Sequence, residues 1–583
     1  MPLDRPSRRP ALLASLLPLL LSGAPFACKE EAEGGDKAGG GGETGDAWRP
    51  DLVCPGDAGC ETNEGAFQAG AAALPITPTC FESWTDLDGS LTYSSSQDSF
   101  NDCGCDRLCE GDEGYPGPDA GEADGEFQPI WIAGFGQGRA ATDVHDDTWA
   151  RAAAFRSGDT TVALVSLDLV GLFNNDVVRI RDAVKAAGVD VDHVVVQSTH
   201  VHETADTLGQ WGSNFSRRGV NDDYLAYVIS QSAAAVQQAV AQLEPATLTT
   251  GVIDSAAPFG AKGTRNTVRD SRDPVVIEER VKVAWLTGAD GHTISTLVNW
   301  GNHPEVLGGD NTLITSDYVH YLRQGVEQGV SWDSGDRAGL GGVCVFVEAS
   351  VGGLMTPLGI TVTDMDGADF EGDTWEKAEA LGKVVADLAL QAAAGGSEAT
   401  EPRVAVSTTR FFVPVENYAF QALFLLGTFD RPIFNYDPDR DLDETNIPDL
   451  ETEVNLVTVG PIRMLSIPGE LTPELAIGGY DGSRVNTDEV ELIKADNPNP
   501  PDLSLAPTGP YFEDLMGGEQ AWIIGLGNDE IGYLIPPYDY KLNESSPYLV
   551  DAEGDHYEET NSVGPSAAPA IIAAVEALTG YTP

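Results

Sequence analysis

The sequence predicts an α/β body. Three observations predict it: apolar runs of strand length alternate with amphipathic helical stretches from Ile130 onward, 583 residues at 42% hydrophobic content can bury a substantial core, and no fixed-period repeat interrupts the pattern.

The chain opens on an export signal assigned to residues 1–27: basic Arg5, Arg8 and Arg9, an apolar run over residues 11–21, then small residues up to Ala27 and Cys28. This run is too short for an ordinary membrane span. A Cys in this place suits a lipid-anchored mature terminus, whereas Pro25-Phe26-Ala27 fits a lipobox poorly. Acylation of Cys28, giving a membrane tether, and plain cleavage with secretion or periplasmic release both stay open. Residues 29–46 are Gly-rich and acidic, and residues 28–64 are read as a flexible tether.

Of the eight Cys, six fall between Cys54 and Cys109. In an exported chain an even, clustered set predicts three local disulfides; zinc binding by Cys103, Cys105 and Cys109 is the alternative. Residues 79–127 read as an acidic, disulfide-stapled insertion. Within it Asp86-Leu-Asp88-Gly89 has the composition of a calcium loop, against the simpler reading of a solvated acidic turn.

The rest, residues 65–583, forms one body. Strands are expected over residues 66–76, 161–167, 193–197, 281–286 and 295–300, and helices over 177–187, 223–243, 375–394 and 567–578. Cys344 lies in an apolar run and reads as a buried free thiol.

With 33 basic against 92 acidic residues the formal charge is −59, which repels phosphate backbones and excludes nucleic acid as a partner. No protein partner is implied.

The chemistry gathers at the histidines. Thr199-His200-Val201-His202 follows the apolar run Val194-Val195-Val196, and residues i and i+2 of an extended chain face one side, so both imidazoles can enter one site at a strand end. His303 follows another expected strand, and Pro304 turns the chain there. His193, His292 and His320 read as structural. Zinc accepts nitrogen and oxygen ligands, so two imidazoles need a carboxylate, and among 92 acidic residues periodicity cannot choose one. No Gly-x-Ser-x-Gly elbow, His-Glu-x-x-His helix or phosphate-binding glycine loop occurs. Metal-assisted hydrolysis therefore leads.

Thr199-His200-Val-His202 resembles the Thr-His-Thr-His segment of the neutral, non-lysosomal ceramidases, which hydrolyse the amide of N-acyl sphingosine. Gly134-Phe-Gly-Gln-Gly-Arg139 through His145 to Trp149 resembles an early segment of that family, and Ser166-Leu-Asp168 the strand after it. Asn302-His303-Pro304 is similar to the stretch carrying the second zinc histidine, Ser466-Ile-Pro-Gly-Glu470 to the zinc glutamate segment, and Gly525-Leu-Gly-Asn528 to Tyr533 to the tyrosine segment. The resemblance implies mixed β-sheets flanked by helices and zinc on His200, His303, Glu470 and Tyr533. It gives His202 and Tyr557 the task of stabilising the tetrahedral intermediate, Arg265 the substrate side, and His145 a place in the pocket wall. The implied reaction is zinc-dependent hydrolysis of the N-acyl amide of ceramide or a related lipid. A different acyl amide or ester, and a non-catalytic calcium-binding surface protein, are the alternatives. The resemblance departs at residues 203–211, where the wall beside the metal is rewritten, and at Thr356, which stands where the family has a serine.

Overall fold

The computed structural model describes residues 49–517 and 520–581. The export signal, Cys28 and the acidic Gly-rich run lie outside the described residues. Two large sheets are stacked. The nine-stranded sheet runs Val343–Glu348, Thr293–Trp300, Arg280–Gly288, Glu244–Asp254, Gln68–Pro75, Trp149–Ser157, Thr160–Leu167 and His193–Ser198, with Ser397–Glu398 as an extra partner of Glu244–Asp254. The five-stranded sheet runs Leu52–Cys54, Val404–Pro414, Asp449–Val459, Ile462–Ser466 and Gln520–Ile524. Most neighbours are antiparallel, but Thr160–Leu167 with His193–Ser198, Thr293–Trp300 with Val343–Glu348, and Ile462–Ser466 with Gln520–Ile524 are parallel.

The strand pattern explains the layering. Side chains of a strand alternate between faces, so a sheet covered on both sides needs apolar residues at successive positions. Thr160–Leu167 is buried throughout: Val162 and Leu164 enter the core between the two sheets, while Ala163, Val165 and Leu167 meet the helices. Phe346 and Val345 divide in the same way. Asn174–Ala186, Asp222–Ala241, Tyr318–Gln328 and Trp375–Ala394 cover the outer face of the larger sheet, and Ala567–Thr579 covers the smaller. The helix Asp222–Ala241 starts at Asn221, whose side chain accepts the Tyr224 N–H, a cap worth about 1 kcal/mol. It lies so close to its sheet that a Cβ at Gly70 would fall 2.2 Å from the Ala239 carbonyl oxygen.

The expected strands and helices are present, with ends moved by up to three residues. Two features differ from expectation. Leu52–Cys54, counted with the tether, is an edge strand of the smaller sheet, because its backbone pairs with residues 406–408 and Cys54 is bridged to Cys60. The smaller sheet as a whole had no counterpart in the sequence reading. The other disulfides are Cys80–Cys105 and Cys103–Cys109, so the cysteines considered for zinc are bridged, and Cys344 is free and buried. In the expected calcium loop Asp86 accepts the N–H groups of Gly89, Ser90 and Leu91, and Asp98 those of Leu87 and Ser94. The ligand atoms of Asp86, Asp88 and Asp98 also lie within 4.8 Å of one another, so the loop suits the calcium reading as well as the solvated acidic turn. Among the described residues no helix is long and apolar enough to cross a membrane.

His193 joins the two sheets, its Nε2 lying 2.6 Å from Asn455 Oδ1. Burial and then the Arg181 charge push its pKa from 6.5 down to about 4. The folded state holds this ring neutral, so its stabilisation is complete above the unfolded value and is lost as pH falls from there toward 4. His193→Gln is expected to lose less Tm than the wild type between pH 6.5 and pH 4.5; an equal acid loss in thermal melts would overturn this.

Candidate metal centre

The site forms where strand ends of the two sheets meet. Asn528 stitches them: its Oδ1 accepts the Val196 N–H at 2.8 Å from the larger sheet, and its Nδ2 donates to Asn455 Oδ1 at 2.7 Å in the smaller. Asn299 adds a second stitch, donating to the carbonyls of Val347 and Ile523 at 3.1 and 2.8 Å. The chain leaves His193–Ser198 through Thr199, whose N–H donates to the Leu167 carbonyl, and then takes a left-handed turn at His200, φ 64°. Leu354, Leu526 and Asn528 around the centre also have positive φ. Such backbone costs about 1–3 kcal/mol per residue and persists where surrounding contacts over-determine it.

Asp168 is one of those contacts. Buried, it takes a bidentate pair from Arg323 at 2.9 and 2.8 Å, the Ser316 hydroxyl at 2.9 Å and the Trp149 N–H at 2.8 Å, and it touches the Thr199 hydroxyl. On the other side of the histidines, Arg139 pairs with buried Glu203 at 3.0 Å and donates to the carbonyls of Ala133 and His202. Gly134 allows this approach: at φ 98° a Cβ there would fall 2.4 Å from His202 Cβ.

Six of the eight residues the resemblance singles out converge. His200 Nε2 and His303 Nε2 lie 3.3 and 3.1 Å from Glu470 Oε2. His202 Nε2 is 3.4 Å from His200 Nε2. Glu470–Leu471 and Tyr533–Leu534 pair in parallel, placing Glu470 opposite Tyr533, and the Tyr557 ring stands edge-on to Tyr533 with centroids 6.1 Å apart. His145 and Arg265 lie elsewhere. The His145 ring stacks on Trp375 at 3.7 Å and faces Asp146, because the adjoining strand Asp143–Val144 pairs with Leu313–Ile314. Arg265 is in the turn Ala257–Asn266, 3.5 Å from Glu489. Thr356 donates to Glu305 and accepts the Leu358 N–H at 3.0 Å.

The donor set fits a metal. His200 Nδ1 is 2.6 Å from the Val170 carbonyl and His303 Nδ1 is 2.7 Å from that of Met355, so both rings carry their proton on Nδ1. Their Nε2 lone pairs then face each other and a carboxylate oxygen, an arrangement that suits a cation at its centre. His200, His202 and His303 also form a group whose ligand atoms lie within 4.8 Å of one another. Without an ion the same tension appears in the proton affinities. Burial opposes charge on His200, but Glu470 overrides it and the ring rises to about 9; burial likewise pushes the Glu470 carboxyl up, but His200 and then His303 override it and hold it well below the usual carboxylate range.

A cleft open to solvent leads to these groups. His200, His202, Glu470, Tyr533 and Tyr557 line its floor. Its walls are Val170, Phe173, Leu208, Trp211, Phe424 and Phe429. The rewritten segment supplies two of these, held by Asp206, which accepts the N–H groups of Leu208, Gly209 and Trp211.

The architecture is similar to that of solved structures. The neutral ceramidase from Pseudomonas aeruginosa superposes with a TM-score of 0.53 at 13% identity, over 88% of this chain and 74% of that one. A ceramidase complexed with C2 gives 0.54 at 14% identity, over 88% and 75%. The chain has the neutral-ceramidase fold. No sequence family and no curated protein matches the chain. Sequence reasoning also missed Glu305, whose Oε2 is 3.3 Å from His202 Nδ1, and Glu530 in the cleft wall. Glu305 stands two residues after His303 and Glu530 lies within the segment Gly525 to Tyr533, and those positions were the signals available.

Asp168→Ala would strand Arg323 without a partner in the core and is expected to cost about 3–5 kcal/mol in denaturant unfolding; a loss under 1 kcal/mol would refute the bracing role. Glu470→Ala is expected to lower bound zinc below half occupancy by elemental analysis, and full occupancy would remove Glu470 from the ligand set.

Proposed function

We propose that this protein is an exported zinc-dependent hydrolase that cleaves the N-acyl amide of ceramide or a related lipid. One observation carries the reading: two imidazole Nε2 atoms and a carboxylate oxygen confront one another at the floor of a cleft with aromatic and aliphatic walls. Three disulfides favour an oxidising compartment, in line with the expected export signal.

His200, His303, Glu470 and Tyr533 would hold the ion, with His202 near enough to join them. Zinc supplies a Lewis acid that polarises the acyl carbonyl and lowers the pKa of water. The chain's own residues do the rest. His202 is buried, and burial, partly offset by Glu305, drops its pKa to about 4, so the free ring is neutral. With its proton on Nδ1 toward Glu305, the Nε2 lone pair accepts a proton from the attacking water as a new C–O bond forms. Glu305 stabilises the resulting imidazolium, which then donates toward the oxyanion; the donor role the resemblance implies is reached at this stage. When the C–N bond breaks, the proton passes to the leaving nitrogen, giving a carboxylic acid and an amine. Tyr557, in the same cleft lining, would donate its hydroxyl to that oxyanion. The walls hold the acyl chain and exclude water.

The test is fatty-acid release from a ceramide by the purified mature protein. Release is expected to vanish on chelation and return with zinc, and His202→Ala is expected to lower kcat by roughly 100-fold or more with zinc retained. No release from zinc-loaded protein would move the reading to a different acyl amide or ester.

A further inference from the structure

Thr356 is a buried hydroxyl beside the centre that the proposed chemistry leaves idle. Its Oγ accepts the Leu358 N–H at 3.0 Å, the turn a Thr makes with the backbone two residues on. A cap of that kind uses only the lone pairs. The O–H is left over, and it donates to Glu305 Oε1. The other oxygen, Glu305 Oε2, stands 3.3 Å from His202 Nδ1, a nitrogen with no other partner among the described residues. All three side chains are buried. The turn itself is pinned. Lys377 Nζ donates to the Pro357 carbonyl at 2.8 Å, Arg269 Nε donates to that of Leu358 at 2.7 Å, and the backbones of Thr356 and Arg269 pair both ways.

The chain of contacts has a direction. A hydroxyl oxygen that already accepts an N–H turns its own proton away from that donor, and a β-branched side chain has few rotamers in which to do otherwise. Glu305 therefore meets a donor at Oε1, and its carboxylate presents an acceptor at Oε2. An imidazole facing that acceptor carries its proton on Nδ1, which leaves Nε2 bare on the ring that borders the cleft floor. We propose that Thr356 is a positioning residue: acting through Glu305, it fixes the orientation of that carboxylate and so the tautomer in which His202 faces the substrate. The kinetic meaning of the tautomer rests on the hydrolase reading, whereas the tautomer itself does not.

The full mature protein, zinc-loaded and carrying nitrogen-15 histidine, is read by NMR alongside kcat, KM and bound zinc, with His202 assigned by its absence from His202→Ala. The wild-type ring is expected to be protonated at Nδ1 and bare at Nε2. Glu305→Gln keeps the shape of the side chain, and Thr356 still donates to its amide oxygen, so the amide NH2 faces His202. The ring is then expected to switch to Nε2–H and kcat to fall at least about 100-fold. With Thr356→Val added, nothing directs the amide, and both ring forms are expected. Thr356→Val alone is expected to lower kcat about tenfold at unchanged KM and bound zinc, and Thr356→Ser to stay within about threefold of the wild type. A hydroxyl that only caps its turn would move the melting temperature and leave kcat in place. Nε2–H in the wild type, Nδ1–H kept in Glu305→Gln, a switch that stays complete in the double variant, or wild-type kcat in Thr356→Val would each overturn the role. If Thr356→Val does not fold, the wild-type and Glu305→Gln spectra decide. The switch without amide hydrolysis by the wild type would overturn the hydrolase reading and leave the positioning role standing, and hydrolysis without the switch would do the reverse.

Discussion

The centre depends on two protons that are already spoken for. The Val170 and Met355 carbonyls hold the Nδ1–H groups of His200 and His303, and this fixes which nitrogen of each ring is left to act. Everything around the site serves that choice. Both carbonyls belong to loops whose paths are set by strand ends, so the tautomer of a ring is decided by how two sheets stack. A carboxylate in the same space completes a negatively polarised cage, which folding alone would not favour.

The stacking has its own economy. A sheet buried on both faces leaves few polar atoms free, and those present are used as connections across the interface, as with Asn299 and Asn528. Buried ion pairs stand on either side of the histidine loop, Asp168 with Arg323 and Arg139 with Glu203. Pairs of this kind are weak contributors to stability but stringent about geometry, since neither partner tolerates the loss of the other. They suit a loop that must hold a left-handed histidine in one position.

Much of this was legible in the sequence, and the limits have physical causes. Val162, Leu164 and Val195 advertise two-sided strands because burial on both faces removes the polar alternation. The histidine pair is legible because a strand exit is where side chains reach a site together. Glu470 was not, since a carboxylate ligand has the same local pattern as any of 92 acidic residues, and only the resemblance pointed to it. Glu530 stayed hidden for the same reason. His145 was placed in the pocket by its motif, yet its short strand pairs with Leu313–Ile314 and carries the ring onto Trp375. The smaller sheet escaped because its edge strand sits in a polar, Cys-rich stretch and its central strands mix Thr, Glu and Asn with Val.

The seam between the sheets bears on how the protein is born. His200 comes from the first half of the chain, whereas Glu470 and Tyr533 arrive late, on segments that flank the parallel pair Ile462–Ser466 and Gln520–Ile524. Contacts of such long range form slowly and only after most of the polypeptide is available. A nascent chain that has already made His200, His202 and His303 still lacks the carboxylate and the phenol that stand opposite each other in the finished site. The donor set is complete only once its final strands have been synthesised.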